Sequence, residues 1–201
     1  MIFIDEIDSL CSIRNEDEDN KKILLKKQFK IQMTNVGKSD SKFVLIGSTK
    51  VPWELDPTIL KRFEKVLYIP WPDKKSRLEL LKIHLGKAPN SLTDSYFSVL
   101  SDITPGYSGF DMFSVVKEAL MGPIKKCQSA TWFKQVQGFF IPSLPGDGFK
   151  SSLLEIPDPS KVKPPLVCME DFKIAIAKIK PTVTQNELEM NMKFTKEFGV
   201  K

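Results

Sequence analysis

The chain has 201 residues, 41% hydrophobic and 27% charged, with a formal net charge of +5, a composition that supports a real core in one large domain or two small ones. Three scattered cysteines (Cys11, Cys127, Cys168) and one histidine, His84, argue against a disulfide or zinc framework and leave little room for a histidine-based triad. No apolar run approaches the ~18 residues of a membrane span, the MIFI start is too short for a signal peptide, and the mild positive charge does not choose among acidic partner, anionic lipid and nucleic acid.

The first element is a short apolar strand ending at Phe3-Ile4, stopped by the adjacent carboxylates Asp5-Glu6; its unbroken greasiness reads as a buried parallel strand. RNEDED, from Arg14 to Asp19, reads as an exposed acidic loop. In KKILLKKQFKIQM, Leu25, Phe29 and Met33 recur every four residues between lysines, predicting an amphipathic helix whose lysines form a solvated face rather than a nucleic-acid patch. FVLIGS (residues 43–48) and VLYI (residues 66–69) read as a second and a third buried strand. Strand, helix, strand of this kind implies a parallel α/β sheet.

After Pro70-Trp71-Pro72 the period changes. Leu78, Leu81 and Leu85 fall on one helical face, as do Phe97, Leu100 and Ile103, then Phe113, Val116 and Leu120. His84 lies within the first of these helices and reads as a packing or surface residue. Ser108 and Asp111 have the spacing of a capping box at the start of the third. Residues 138–165 hold six prolines and three glycines, which predicts loops and short strands. A helix with Phe172, Ile176 and Ile179 follows, stopping at Pro181. Thr184 and Glu187 then cap a last helix carrying Leu188, Met192 and Phe198.

Two features carry chemistry. A carboxylate at the carboxyl end of a parallel strand stands where phosphate ligands bind. There Asp5 can hold Mg²⁺ and Glu6 can orient and deprotonate water; the alternative is two acids favourably placed at a helix start. Gly37-Lys38-Ser39 spells the tail of a phosphate loop, but the glycine required five positions earlier is Gln32, and the stretch follows a helix instead of a strand.

FIDEIDSL, GSTKVPW, LDPTILKRFE and GYSG (residues 106–109) together resemble the Walker B, first-sensor, arginine-finger and second-sensor segments of the AAA ATPases. CQSATWFKQVQG, PPLVCMEDF and KPTVTQNELEMNMKFTKEFG are similar to the branch of their meiotic clade that dismantles ESCRT-III filaments, and the likeness covers nearly the whole chain. The resemblance implies a partial AAA P-loop-type parallel-sheet domain over residues 1–72 and a small helical domain over 73–140. It further implies a β-domain-like insertion over 141–168 that recruits an activator protein, and closing helices over 169–201.

It also implies ATP and Mg²⁺ as cofactors and ESCRT-III subunits as substrate, handled by a homo-oligomeric ring that is cytoplasmic, peripheral to the endosome membrane, and not a nucleic-acid binder. By the same likeness Asp5 is the metal ligand, Glu6 the base and Lys50 the first sensor. Lys61 and Arg62 are the finger pair, Gly106, Ser108 and Gly109 the second-sensor contact, and Arg14 a pore-loop residue meeting substrate.

Departures from the family pattern carry information. Lys50 stands where the family has Asn; an ammonium donates but cannot also accept to hold water. Lys61 replaces an arginine, keeping charge but losing the planar fork. Ile23 and Leu24 stand in place of an arginine pair, and Phe110 in place of a small residue. The phosphate loop, which in the family precedes Walker B, is not among these residues. The expectation is therefore a back half of an ATPase that binds ATP weakly or not at all by itself. Its rival is a degenerate, non-hydrolysing paralogue that joins rings or holds the activator.

Overall fold

The apolar start of the chain forms β1 (Ile2–Ile4), which pairs in parallel with β2 (Leu45–Gly47), Ile2 opposite Leu45, Phe3 opposite Ile46 and Ile4 opposite Gly47. The structure is a computed structural model that describes residues 1–12, 20–35, 44–182 and 184–199. It divides into two units, Met1–Ile69 with Gln185–Lys201, and Pro70–Thr184.

In the first unit the parallel pair is joined by a helical crossover, as parallel strands require: α1 (Asp8–Cys11) and α2 (Asn20–Asn35) both lie between the strands. Its core is Ile7, Cys11, Leu55 and Ile59, with Ile4, Leu10, Phe29, Leu60 and Phe63 packed on it. Gly47 is required at the close approach: a Cβ there would stand 2.8 Å from Ile7 Cδ1, so a glycine lets Ile7 lie on the end of β2. After β2 a short 3-10 turn (Pro52–Glu54) leads to α3 (Pro57–Leu60). Asp56 caps α3, accepting from the Thr58 N–H at 2.7 Å. The last helix, α8 (Gln185–Phe198), follows directly on Thr184 and lies against Pro52–Glu54.

Three expectations for this unit need correction. Residues 66–69 form no strand: they join no ladder among the described residues, and Leu67 and Ile69 are 78% and 88% exposed. A β-rich composition needs a neighbouring strand to become a strand, and here none is paired with it. Ile2 and Phe3, which point to opposite faces of the strand, are both exposed rather than buried, so the start of β1 is covered on neither face by the described residues. On α2, Phe29 and Met33 do turn inward, but Leu25 is exposed. The inward stripe instead runs through Lys26 and Lys30, whose ammonium groups reach Ser12 Oγ (3.0 Å) and Asp56 Oδ2 (3.3 Å) while their stems cover apolar surface.

The second unit packs α4 (Lys74–Leu85), α5 (Asp94–Asp102), α6 (Gly109–Ser129) and α7 (Met169–Lys178) round Leu81, Leu100, Met112, Val115, Val116, Ala119, Phe172 and Ala175. The leucine face of α4 is as expected, and His84 meets the Phe113 ring edge-on at 5.4 Å. Ile103 and Phe113, expected inward, are each 44% exposed. The buried face of α6 is rotated toward Met112, Val115 and Ala119, because its apolar residues exceed one stripe and packing with α4 and α7 selects among them.

Between α6 and α7 lies a three-stranded antiparallel sheet in the order β4-β3-β5, made of β3 (Trp132–Val136), β4 (Phe139–Pro142) and β5 (Phe149–Lys150). Gln137 and Gly138 both have positive φ (50° and 82°), the two-residue turn that matches strand twist. The sheet thus begins at Trp132, ahead of the Gly/Pro-rich stretch that advertised it.

Candidate functional site around the carboxylates after the first strand

The register of β1 on β2 brings two polar segments side by side. Beyond Ile4 and Gly47, the chains remain clamped: the Ser48 N–H donates to Ile4 O at 2.9 Å, and the Ile7 N–H donates to Ser48 O at 2.9 Å. Asp5 therefore emerges beside Ser48 at the carboxyl end of the sheet. The Ser48 hydroxyl donates to Asp5 Oδ1, and the Glu6 N–H donates to the same oxygen at 3.0 Å. Among the described residues Oδ2 accepts nothing. The Ser48 hydroxyl first, the Glu6 N–H second, and the Lys50 charge to a lesser degree hold the Asp5 carboxyl below its ordinary range. Lys50 thus acts electrostatically on Asp5.

Glu6 adopts φ +49°, a left-handed conformation uncommon for a residue with a side chain. Such strain persists where surrounding structure imposes it, and it gathers at functional sites. Here the imposing contacts are the strand clamp before Glu6 and the Ile7 N–H bond after it. Glu6 is exposed. Next to it, Thr49 Oγ1 donates to Asp8 Oδ1 at 2.5 Å and accepts from the Val51 N–H at 3.1 Å, fixing the chain from which Lys50 projects.

Lys61 and Arg62 stand at the end of α3, Lys61 as its C-cap residue. Both are exposed, and neither side chain has a hydrogen bond or ion pair among the described residues. Arg62 is therefore not held in a structural salt bridge there, while Phe63 anchors the segment on the unit's core.

Gly106, Ser108 and Gly109 lie in the second unit. Gly106 has φ +76°, which a turn of this shape reserves for glycine, and Gly109 opens α6. The Ser108 hydroxyl is engaged by the cap: Oγ accepts from the Asp111 N–H at 3.1 Å, and Asp111 Oδ2 accepts from the Ser108 N–H at 2.8 Å. Thr182 also donates to Asp111 through N–H (3.3 Å) and hydroxyl (3.2 Å). Burial pushes the Asp111 carboxyl up, and these donors outweigh it, leaving the net shift downward. Arg14 and the Gly37-Lys38-Ser39 segment lie outside the described residues.

Among the described residues no three Asp, Glu, His or Cys side chains gather as a metal cage. What Asp5 offers is one open carboxylate oxygen. That fits Mg²⁺, which keeps several waters and takes one or two carboxylates plus substrate phosphates. Asp5, Glu6 and Lys50 are the residues the sequence singles out as candidates here. The polar pair Ser48-Thr49 at the end of the second strand also reads as facing the site, but the bonds they make, Ser48 to Asp5 and Thr49 to Asp8, and the strain at Glu6 are not legible in the sequence.

Residues 1–71 match the AAA profile, "ATPase family associated with various cellular activities", and residues 141–199 match "Vps4 C terminal oligomerisation domain". The chain is 38% identical to vacuolar protein sorting-associated protein 4A of Rattus norvegicus, covering 99% of this chain and 48% of the relative, and 40% identical to protein 4B of Pongo abelii with the same coverage. It thus spans about half the length of these curated relatives. Among solved structures, the FIGL-1 AAA domain in complex with ADP superposes with a TM-score of 0.76 at 30% identity, covering 100% of this chain and 58% of that one.

Proposed function

We infer that this chain, whose residues 1–71 match the AAA family and whose residues 141–199 match the Vps4 C-terminal family, supplies the metal-binding and water-activating side of an ATP site. The assembly it serves is a homo-oligomeric ring that disassembles ESCRT-III filaments in vacuolar protein sorting, working from the cytoplasm at the endosome surface. The carrying observation is the pair of exposed carboxylates at the carboxyl end of the parallel pair β1-β2, Asp5 fixed through one oxygen and open at the other. Among the described residues no helix is long and apolar enough to cross a membrane.

In this reading the ATP–Mg²⁺ complex supplies an electrophilic γ-phosphoryl group whose charge the metal neutralises. Asp5 would hold the metal, its Oδ2 being the oxygen left open by the bonds to Oδ1. Glu6 orients the attacking water and accepts its proton. Lys50 donates toward the γ-phosphate without being able to accept from the water, which slows hydrolysis relative to an amide at that position. Lys61 and Arg62, without an ion pair among the described residues, reach the nucleotide of a neighbouring subunit. At the start of α6, Gly106 and Gly109 offer backbone N–H groups to phosphate, while Ser108, committed through both its N–H and its hydroxyl to the cap with Asp111, holds that turn in shape. Arg14 is the residue assigned to contact substrate.

Residues 1–72 then form the sheet-containing part and 73–140 the helical part. Residues 141–168 are the activator-binding insertion and 169–201 the closing helices. The lysines at positions 50 and 61 also favour a second reading, a ring-joining or activator-binding module with little turnover.

Joining the phosphate-loop half of the rat protein 4A to Met1 tests the proposal. The chimera is expected to release subunits from ESCRT-III filaments in an ATP-dependent manner. Normal ATP hydrolysis without filament disassembly would refute the assigned substrate. Ring assembly without hydrolysis, restored by Lys50→Asn, would favour the module.

A further inference from the structure

We propose that Ser48 is a positioning residue that makes Asp5 a one-oxygen cation ligand; the inference rests on the reading of Asp5 as the metal ligand. Three observations carry it. First, Ser48 is fixed from both sides by backbone hydrogen bonds, its N–H on Ile4 O and its carbonyl under the Ile7 N–H, each 2.9 Å. Its side chain therefore projects beside Asp5 as a consequence of the β1-β2 register. Second, the Ser48 hydroxyl and the Glu6 N–H both donate to Asp5 Oδ1. A carboxylate oxygen has two lone pairs, so these two donors fill it. Third, Oδ2 accepts from no described residue, and Asp5 is exposed.

The consequence is a carboxylate with one saturated and one vacant oxygen. It cannot chelate a cation through both oxygens without giving up the Ser48 bond. Mg²⁺ demands near-ideal octahedral geometry and takes carboxylates through one oxygen, whereas Ca²⁺ accepts two-oxygen binding. Ser48 thus holds the Asp5 plane against rotation and biases it toward the small, octahedral cation. The backbone N–H alone would leave the second lone pair of Oδ1 free.

Mn²⁺, a paramagnetic stand-in for Mg²⁺, tests this on the ¹⁵N-labelled 201-residue chain, read by broadening of the amide resonances of residues 4–8 and 47–50. Wild type is expected to broaden there, with Mg²⁺ reversing the effect. Ser48→Ala should need about tenfold more Mn²⁺, the effect of losing one hydrogen bond to a charged group. Ser48→Thr, which keeps the hydroxyl, should behave as wild type. Unchanged amide positions in residues 20–35 and 57–69, in the same unit as Ser48 but away from Asp5 in sequence, show that each variant is folded.

Equal Mn²⁺ sensitivity of wild type and Ser48→Ala overturns the role of Ser48 while leaving Asp5 as ligand, provided that Asp5→Asn abolishes the broadening. Broadening that survives Asp5→Asn, or its absence in wild type, overturns the metal-ligand reading itself and the inference with it.

Discussion

Gly122→Ala should destabilise the protein, against the usual rule that alanine improves a helix. Gly122 lies inside α6, where alanine is ordinarily worth ~1 kcal/mol over glycine. Here a Cβ would stand 2.4 Å from Asp171 Oδ1 and 2.7 Å from its Cγ. Asp171 is 3% exposed and cannot swing into solvent without abandoning its partners. Oδ1 pairs with Lys126 Nζ at 2.7 Å, while Oδ2 accepts the Cys168 N–H at 2.9 Å and the Cys168 thiol at 3.2 Å, capping α7. A lost cap costs about 0.5–2 kcal/mol, and a buried charge stripped of its partner about 3–5.

Partial relaxation and the propensity gain offset some of that, leaving a net loss of about 2–3 kcal/mol. For a protein of this size that lowers Tm by roughly 5–10 °C, read by circular dichroism with urea midpoints alongside. In an Asp171→Gly background the three obstructing atoms, Oδ1, Cγ and Cβ, are gone, and Gly122→Ala should become stabilising by ~1 kcal/mol. A Gly122→Ala protein as stable as wild type, or a double variant showing no reversal, would refute the reasoning.

Glu118 accepts from Lys125 at 2.6 Å and Lys178 at 2.9 Å, and these bonds hold its carboxyl down at about 2. A depressed carboxylate adds stability above its unfolded value and loses it as pH falls through the folded one. Unfolding midpoints should therefore drop between about pH 4.5 and pH 2, and Glu118→Gln should flatten that drop; an unchanged profile would contradict the pairing. Glu6→Gly relieves a left-handed conformation that costs about 1–3 kcal/mol while adding backbone entropy of about 0.5–1. It should raise stability by roughly 0.5–1 kcal/mol in urea unfolding, and a clear loss would mean that the Glu6 side chain is structural. The 201-residue polypeptide, having no phosphate loop within it, should bind no fluorescent ATP analogue in the micromolar range, measured by anisotropy.

The sequence carried the elements whose pattern has one solution. MIFI and LIG had to pair in parallel with a helix between them, and the Ser108–Asp111 spacing could hardly be other than a cap. Residues 66–69 misled because apolar β-branched composition says nothing about whether a partner strand lies alongside. On α2 and α6 the periodic apolar residues exceeded what one face could bury, and contacts between elements chose among them: Leu25 and Phe113 lost, Lys26 and Met112 gained.

At the site, residue type and order pointed to Asp5, Glu6 and Lys50 as candidates. The Ser48–Asp5 bond depends on the strand register, and the strain at Glu6 on bonds to either side of it; neither is written in local sequence. The groove of about 240 Å³ between α6 and α7 was likewise illegible, since its lysines come from segments far apart. They face Glu118 and Asp171 and serve the packing of the two helices.

Hydrolysis at this site depends on Glu6 acting as the base beside Asp5. In the chimera carrying a relative's phosphate-loop half, single-turnover hydrolysis of bound ATP should fall by about 10²–10⁴ on Glu6→Gln, with ATP still retained in the site. Hydrolysis continuing at the parent rate with the carboxylate removed would contradict it.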